Sequence, residues 1–154
     1  MDIHYRCTEE EMGNQVKTTP YNTNLAGEFW VLSALNRLGI EAQLTLGNKK
    51  SVDILVVQNA TIYTLDVKAL ADRYDWPADN IKVLNNPNHV YIFLTFESKI
   101  TDPQINPSVW IIPSDKIQPF IKRYATRSVV SRSLIVNNGS KYQNNWKYLI
   151  KEES

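Results

Sequence analysis

The sequence predicts a mixed α/β (α+β) fold in which a central β-sheet of about five strands is flanked by helices. Three observations lead there. A helical period over residues 25–39 is followed by three runs rich in β-branched residues. Two later runs, "VYIFLTF" (90–96) and "VWIIP" (109–113), are continuously apolar, as expected of strands covered on both faces. Helix-compatible segments then close the chain, and no repeat or low-complexity stretch interrupts the order.

Residues 1–22 are polar, hold the run Glu9-Glu10-Glu11 and show no sustained period, so a flexible or loosely attached arm is expected there. Residues 23–154 are expected to form a single domain, long enough to bury most of its apolar surface. In "LAGEFWVLSALNRLG", Leu25, Phe29, Leu32 and Leu35 recur at three- and four-residue steps. Asn24 or Thr23 can cap that helix, and Gly39 is a natural stop. "AQLTL", "VDILVV" and "TIYTLDVKAL" read as strands. Residues 71–88 are polar, contain Pro77 and Pro87, and read as loop with a short helical piece. After the two apolar strands, "SDKIQPFIKRY" reads as a helix capped by Ser114, "SLIV" as a short edge strand, and "YQNNWKYLI" as a final helix.

Composition sets the broad class. At 43% hydrophobic and 21% charged residues the chain matches an ordinary globular protein rather than a disordered or fibrous one. The N-terminus "MDIHYRCTEEEMG" lacks the layout of a signal peptide, and no apolar run approaches the ~20 residues that cross a bilayer. A cytoplasmic location with no membrane partner is therefore expected. Cys7 is the only cysteine, so neither an internal disulfide nor a thiolate metal cluster can form. Net charge is +1, which alone draws no polyanion. The stretch from Lys116 to Lys151, however, carries Lys122, Arg123, Arg127, Arg132, Lys141 and Lys147 with no Asp or Glu among them. Such a segment either attracts nucleic acid or is a scattered, solvated surface.

The chemistry is concentrated in "VDILVVQNATIYTLDVKAL" (52–70), where Asp53, Asp66 and Lys68 interrupt apolar runs. Buried charges are costly unless paired or bound. A turn centred on Asn59-Ala60 pairs Val57 with Ile62, Leu55 with Thr64, and Asp53 with Asp66. Two opposed carboxylates repel each other, and a bridging Mg²⁺ removes the repulsion. Strand alternation returns Lys68 to the face of Asp66. On a helical wheel Glu28 falls within the apolar arc of residues 25–39 and needs a partner, which the hairpin can provide. The same four residues also admit a reading as a structural salt-bridge network.

An acidic residue on a first helix, an aspartate on one strand of a hairpin and (D/E)-x-K on the next resemble the PD-(D/E)XK, or restriction-endonuclease-like, nuclease superfamily. The matching residues are Glu28 in "AGEFWVLSALNRLG", Asp53 in "SVDILV" and Asp66-Val67-Lys68 in "TLDVKA". The segment "LAGEFWVLSALNRLGIEAQLTLGNKKSVDILV" is similar to a small single-domain branch of that superfamily. Layout is similar over about residues 22–150, and residues 25–70 carry the specific motifs. Val52 stands where the namesake proline would be, and Asp66 replaces the commoner glutamate.

The resemblance implies a restriction-endonuclease-like core and a metal-dependent endonuclease that hydrolyses phosphodiester bonds, in DNA above all. It implies that Asp53, Asp66 and the Val67 backbone carbonyl hold Mg²⁺ or Mn²⁺, with Glu28 as a further ligand or as the group that orders a metal-bound water. Lys68 would orient the nucleophile and stabilise developing charge. The expected partner is nucleic acid, contacted by the basic residues of 116–151. The small size implies a homodimer or protein partner for specificity. A nuclease fold that cuts nothing and binds nucleic acid or protein is the alternative from a different class. His4 and His89 are expected to be isolated surface or loop residues and Cys7 an unreactive arm residue, while Trp76 is the tryptophan best placed to stack on a base.

Overall fold

A computed structural model describes residues 18–45 and 52–150. The chain begins with helix α1 (Pro20–Arg37), whose N-cap is Thr19, not Asn24 or Thr23. The Thr19 hydroxyl accepts from the Asn22 N–H at 3.2 Å, and Pro20 suits the first helical position because its missing N–H has no partner there. Most of the expected 1–22 arm lies outside the described residues. Residues 20–22 belong to the helix.

Five strands form the main sheet: β1 (Ala42–Leu44), β2 (Ile54–Gln58), β3 (Thr61–Leu70), β5 (His89–Thr95) and β6 (Ser108–Pro113) in the order β1-β2-β3-β5-β6. β3 and β5 run parallel and every other neighbouring pair is antiparallel, so the sheet is mixed as expected. The β2–β3 hairpin has the register read from the sequence, Val57 opposite Ile62 and Leu55 opposite Thr64. Its two-residue turn places Asn59 and Ala60 at φ 47° and 65°, both in the left-handed region, as suits a tight hairpin turn that follows the right-handed twist of the strands. A second, antiparallel sheet follows the order β4-β8-β7, from β4 (Trp76–Pro77), β8 (Ser128–Val130) and β7 (Ile121–Arg123).

Two cores hold these layers. Val31 and Leu35 of α1 pack with Ile54, Val56, Leu65, Val67, Ile92 and Ile111 on one face of the main sheet. Tyr91, Phe93, Trp110 and Ile112 on the other face pack with Trp76, Phe120, Val130 and Ile135 of the second sheet and its neighbours. Helix α1 turns Thr23, Gly27, Glu28, Val31 and Leu35 inward, whereas Phe29 is 53% exposed, one position off the expected stripe. Gly27 decides this. A Cβ there would lie 2.5 Å from Ala69 Cβ, so the bare glycine lets α1 sit directly on β3.

The C-terminal third departs from the sequence expectations. "SDKIQPFIKRY" forms two 3₁₀ turns, Ser114–Lys116 and Gln118–Phe120, and then β7, because Pro119 has no N–H and interrupts an α-helical ladder. "SLIV" lies in a helix, α2 (Arg132–Asn138), not an edge strand. The Ser131 hydroxyl accepts from the Leu134 N–H at 3.3 Å, and this cap outweighs the β-branched content. In "YQNNWKYLI", Asn144 adopts φ 52° and leaves only a 3₁₀ turn, Trp146–Leu149, with Trp146 and Trp30 ring centroids 6.1 Å apart. Residues 71–88 contain β4 in place of a helical piece.

Candidate active site

Asp53 sits at a bend immediately before β2, and three main-chain contacts fix it. Its N–H donates to the Leu65 carbonyl and its carbonyl accepts from the Thr45 N–H, both at 2.9 Å. The Thr45 hydroxyl also donates to the Asp53 carbonyl at 3.2 Å and to the Val52 carbonyl beside it. The side chain is held separately: Asp53 Oδ2 accepts from the Val67 N–H at 2.8 Å. Alternation along β3 sends Leu65, Val67 and Ala69 into the core beneath α1 and turns Asp66 and Lys68 to the opposite face. Lys68 Nζ lies 3.2 Å from Asp66 Oδ1, with the lysine side chain 22% and the aspartate 15% exposed.

These residues open onto a cleft of about 720 Å³ that Glu28 also lines from α1. The cleft thus unites Glu28, Asp53, Asp66, Val67 and Lys68. Burial pushes the Asp66 carboxyl up to about 6; Lys68 pulls it down and the Asp53 carboxylate adds to the rise. Like charges close together and a partly dry site are the physical causes.

Among the described residues, no three His, Cys, Asp or Glu side chains gather closely enough to hold a metal ion as a set. The donor set on hand is two carboxylates and a main-chain oxygen. The N–H and C=O of one strand residue point to the same edge, and the Val67 N–H faces Asp53, so its carbonyl emerges on that same edge, past the start of β2. Two hard carboxylates and a carbonyl with room for waters suit Mg²⁺, which seldom takes a cage made only of protein.

Six further polar residues line the cleft: Asn24, Asp79, Asn80, Lys82, His89 and Tyr91. His89 is therefore no isolated loop residue. It begins β5, and its Nδ1 lies 2.7 Å from Thr64 Oγ1. Burial, and then the Lys68 charge, holds its pKa below the ordinary histidine value. Tyr91 stands beside Asp66 in the parallel register. Its hydroxyl accepts from the Lys82 N–H at 2.8 Å and donates to the Lys82 carbonyl at 3.2 Å, tying the 79–84 segment over the cleft. None of the six was expected at the site from the sequence; the one-turn spacing of Asn24 before Glu28 on α1 is the signal that could have found one of them.

Trp76, the tryptophan singled out for stacking on a base, is 1% exposed and packs edge-on against Phe93 and Trp110. Of the basic segment, Lys122, Arg123 and Arg127 are exposed on and beside β7. Arg132 instead binds Glu97 Oε2 at 2.9 Å, and Lys116 and Lys141 border a separate cavity. Lys151 lies outside the described residues. No helix among the described residues is long and apolar enough to cross a membrane.

No protein-family model matches the chain, and no curated protein matches it. Among solved structures it is similar to a bacterial homing endonuclease at a TM-score of 0.43 and 8% identity, over 64% of this chain and 68% of that one.

Proposed function

We propose that the chain is a metal-dependent, PD-(D/E)XK-like endonuclease that hydrolyses phosphodiester bonds in DNA. The observation that carries this reading is the meeting of Asp53 and Asp66 at one cleft with Lys68 3.2 Å from Asp66. A purely structural sheet gains nothing from two neighbouring carboxylates, one of them raised to about 6.

Asp53, Asp66 and the Val67 carbonyl would hold Mg²⁺ or Mn²⁺, which when bound supplies polarisation of the phosphate and a more acidic water. Lys68 donates to a non-bridging phosphate oxygen and orients the attacking water. The water loses one proton to solvent, and its oxygen bonds to phosphorus as the bond from phosphorus to the leaving sugar oxygen breaks. That sugar oxygen takes a proton from solvent, and Lys68 offsets the charge that develops. Glu28, 8% exposed, orders a water on the α1 side of the cleft or adds a ligand. The Val67 N–H holds Asp53 in its orientation. Exposed Lys122, Arg123 and Arg127 would contact flanking phosphates. Their hairpin is joined to the cleft-lining 79–80 segment, because the Ala78 N–H donates to the Ser128 carbonyl at 3.1 Å.

The test is cleavage of DNA in Mg²⁺ by the wild type, Lys68→Ala and Asp66→Ala. Each substitution should lower the rate by about a hundredfold or more. A rate unchanged by Lys68→Ala removes the mechanism. That no three carboxylates among the described residues lie close enough to share one metal ion favours as a second reading a nuclease fold that binds without cutting. DNA binding with no cleavage in either Mg²⁺ or Mn²⁺ would select it.

A further inference from the structure

We propose that a side cavity next to the cleft is a nucleobase pocket, so that the substrate is a single strand, or a duplex with one base out of the stack at the cut site. The position of the phosphate rests on the nuclease reading above. The cavity has a volume of about 440 Å³ and shares Asn24, Lys68, Asp79 and Asn80 with the cleft. Leu70, Ala71 and Pro77 provide an apolar wall. Tyr74 lines it too and is 69% exposed, an aromatic face left in water beside a site for a polyanion.

The polar groups select the occupant. Asp72 and Asp79 line the cavity and, when ionised, only accept hydrogen bonds and repel phosphate. Lys68, on the shared wall, attracts phosphate. A nucleotide held by its phosphate at Lys68 therefore presents its base, not a second phosphate, to the side cavity. A base suits what is there: a π-face for Tyr74 and Pro77, and amino or ring N–H donors for the carboxylates. A base stacked within a duplex cannot enter a lateral pocket, which sets the substrate class.

The test uses the full-length Asp66→Asn chain, which should bind without cutting. Fluorescence anisotropy measures its affinity for an end-labelled DNA single strand, the same strand in a blunt duplex, and a fully abasic strand of equal length. The single strand should bind about tenfold or more tightly than either of the others. Adding Tyr74→Ala should remove that advantage, and Tyr74→Trp should keep it. Tyr74 is exposed, so an unchanged melting temperature checks that the fold is intact. Equal affinity for normal and abasic strands, indifference to Tyr74→Ala, or no binding to any strand overturns the pocket. The two readings fail separately. Lys68-dependent cutting of duplex DNA with no role for Tyr74 keeps the nuclease and removes the pocket. Tyr74-dependent binding of single strands by a wild-type chain that cuts nothing keeps the pocket and removes the nuclease.

Discussion

The Val67 N–H donates to Asp53 Oδ2 at 2.8 Å, so the carboxylate at the entrance to β2 also clamps the middle of β3. Under the proposed function the same aspartate would also hold the metal, and two substitutions separate the two tasks. Asp53→Asn keeps an oxygen for the Val67 N–H and should melt within about 0.5 kcal/mol of wild type, while calorimetry shows Mg²⁺ affinity reduced about tenfold or more. Asp53→Ala leaves that N–H without its partner and should cost about 1–3 kcal/mol by urea titration. Equal stability of the two variants would show that the clamp contributes nothing.

Asp66 predicts an unusual pH dependence for the metal-free protein. Burial places its folded-state pKa at about 6, above the roughly 3.9 of an unfolded aspartate. Between those values the folded chain keeps a proton that the unfolded chain has lost. The contribution to stability is thus fully present below about pH 4 and is lost as pH rises through about 6. Asp66→Asn removes this loss and should stabilise the metal-free chain by roughly 1–2 kcal/mol at pH 7.5, less than the whole shift because Lys68 loses its ion pair. Melts of both chains from pH 4 to 8 should diverge as pH rises. Parallel curves would mean that Asp66 titrates normally.

Gly27→Ala brings a Cβ to 2.5 Å from Ala69 Cβ and must lift α1 from β3. The expected cost is about 1–3 kcal/mol, with reduced activity because Glu28 moves with the helix. The compensating pair Gly27→Ala with Ala69→Gly should recover most of the stability. A double variant no better than the single one would place the cause elsewhere.

His89 reports on the cleft from the start of β5. Its pKa is lowered first by burial and second by Lys68. Titration followed by NMR should therefore show an upward move in Lys68→Ala that stops short of the ordinary histidine value. A full return would mean that charge, not burial, dominates.

Much of this was legible locally. The hairpin register, the apolar strands β5 and β6, and the placing of Asp66 and Lys68 on one face, with Asp53 beside them at the same cleft, follow from the two-residue strand period and a two-residue turn. Glu28 was found because an acid on the buried face of a helix stands out against its neighbours. The C-terminal elements were not legible. Asn144 and Pro119 act on the backbone, and the Ser131 cap competes with side-chain propensity, so apolar pattern was a poor guide there.

By itself the sequence determined which charged residues share the hairpin face, because alternation is a property of each strand alone. Only the tertiary structure decided what surrounds them. His89 and Tyr91 reach the site because β5 lies parallel to β3, placing Thr64 beside His89 and Asp66 beside Tyr91. Asp79 and Asn80 arrive on a segment tied down by the Tyr91 hydroxyl and by the second sheet. Which strand lies beside which is settled by the joint burial of Val90, Ile92, Leu94 and their partners in two cores, a balance spread over the whole chain that no short stretch of it encodes.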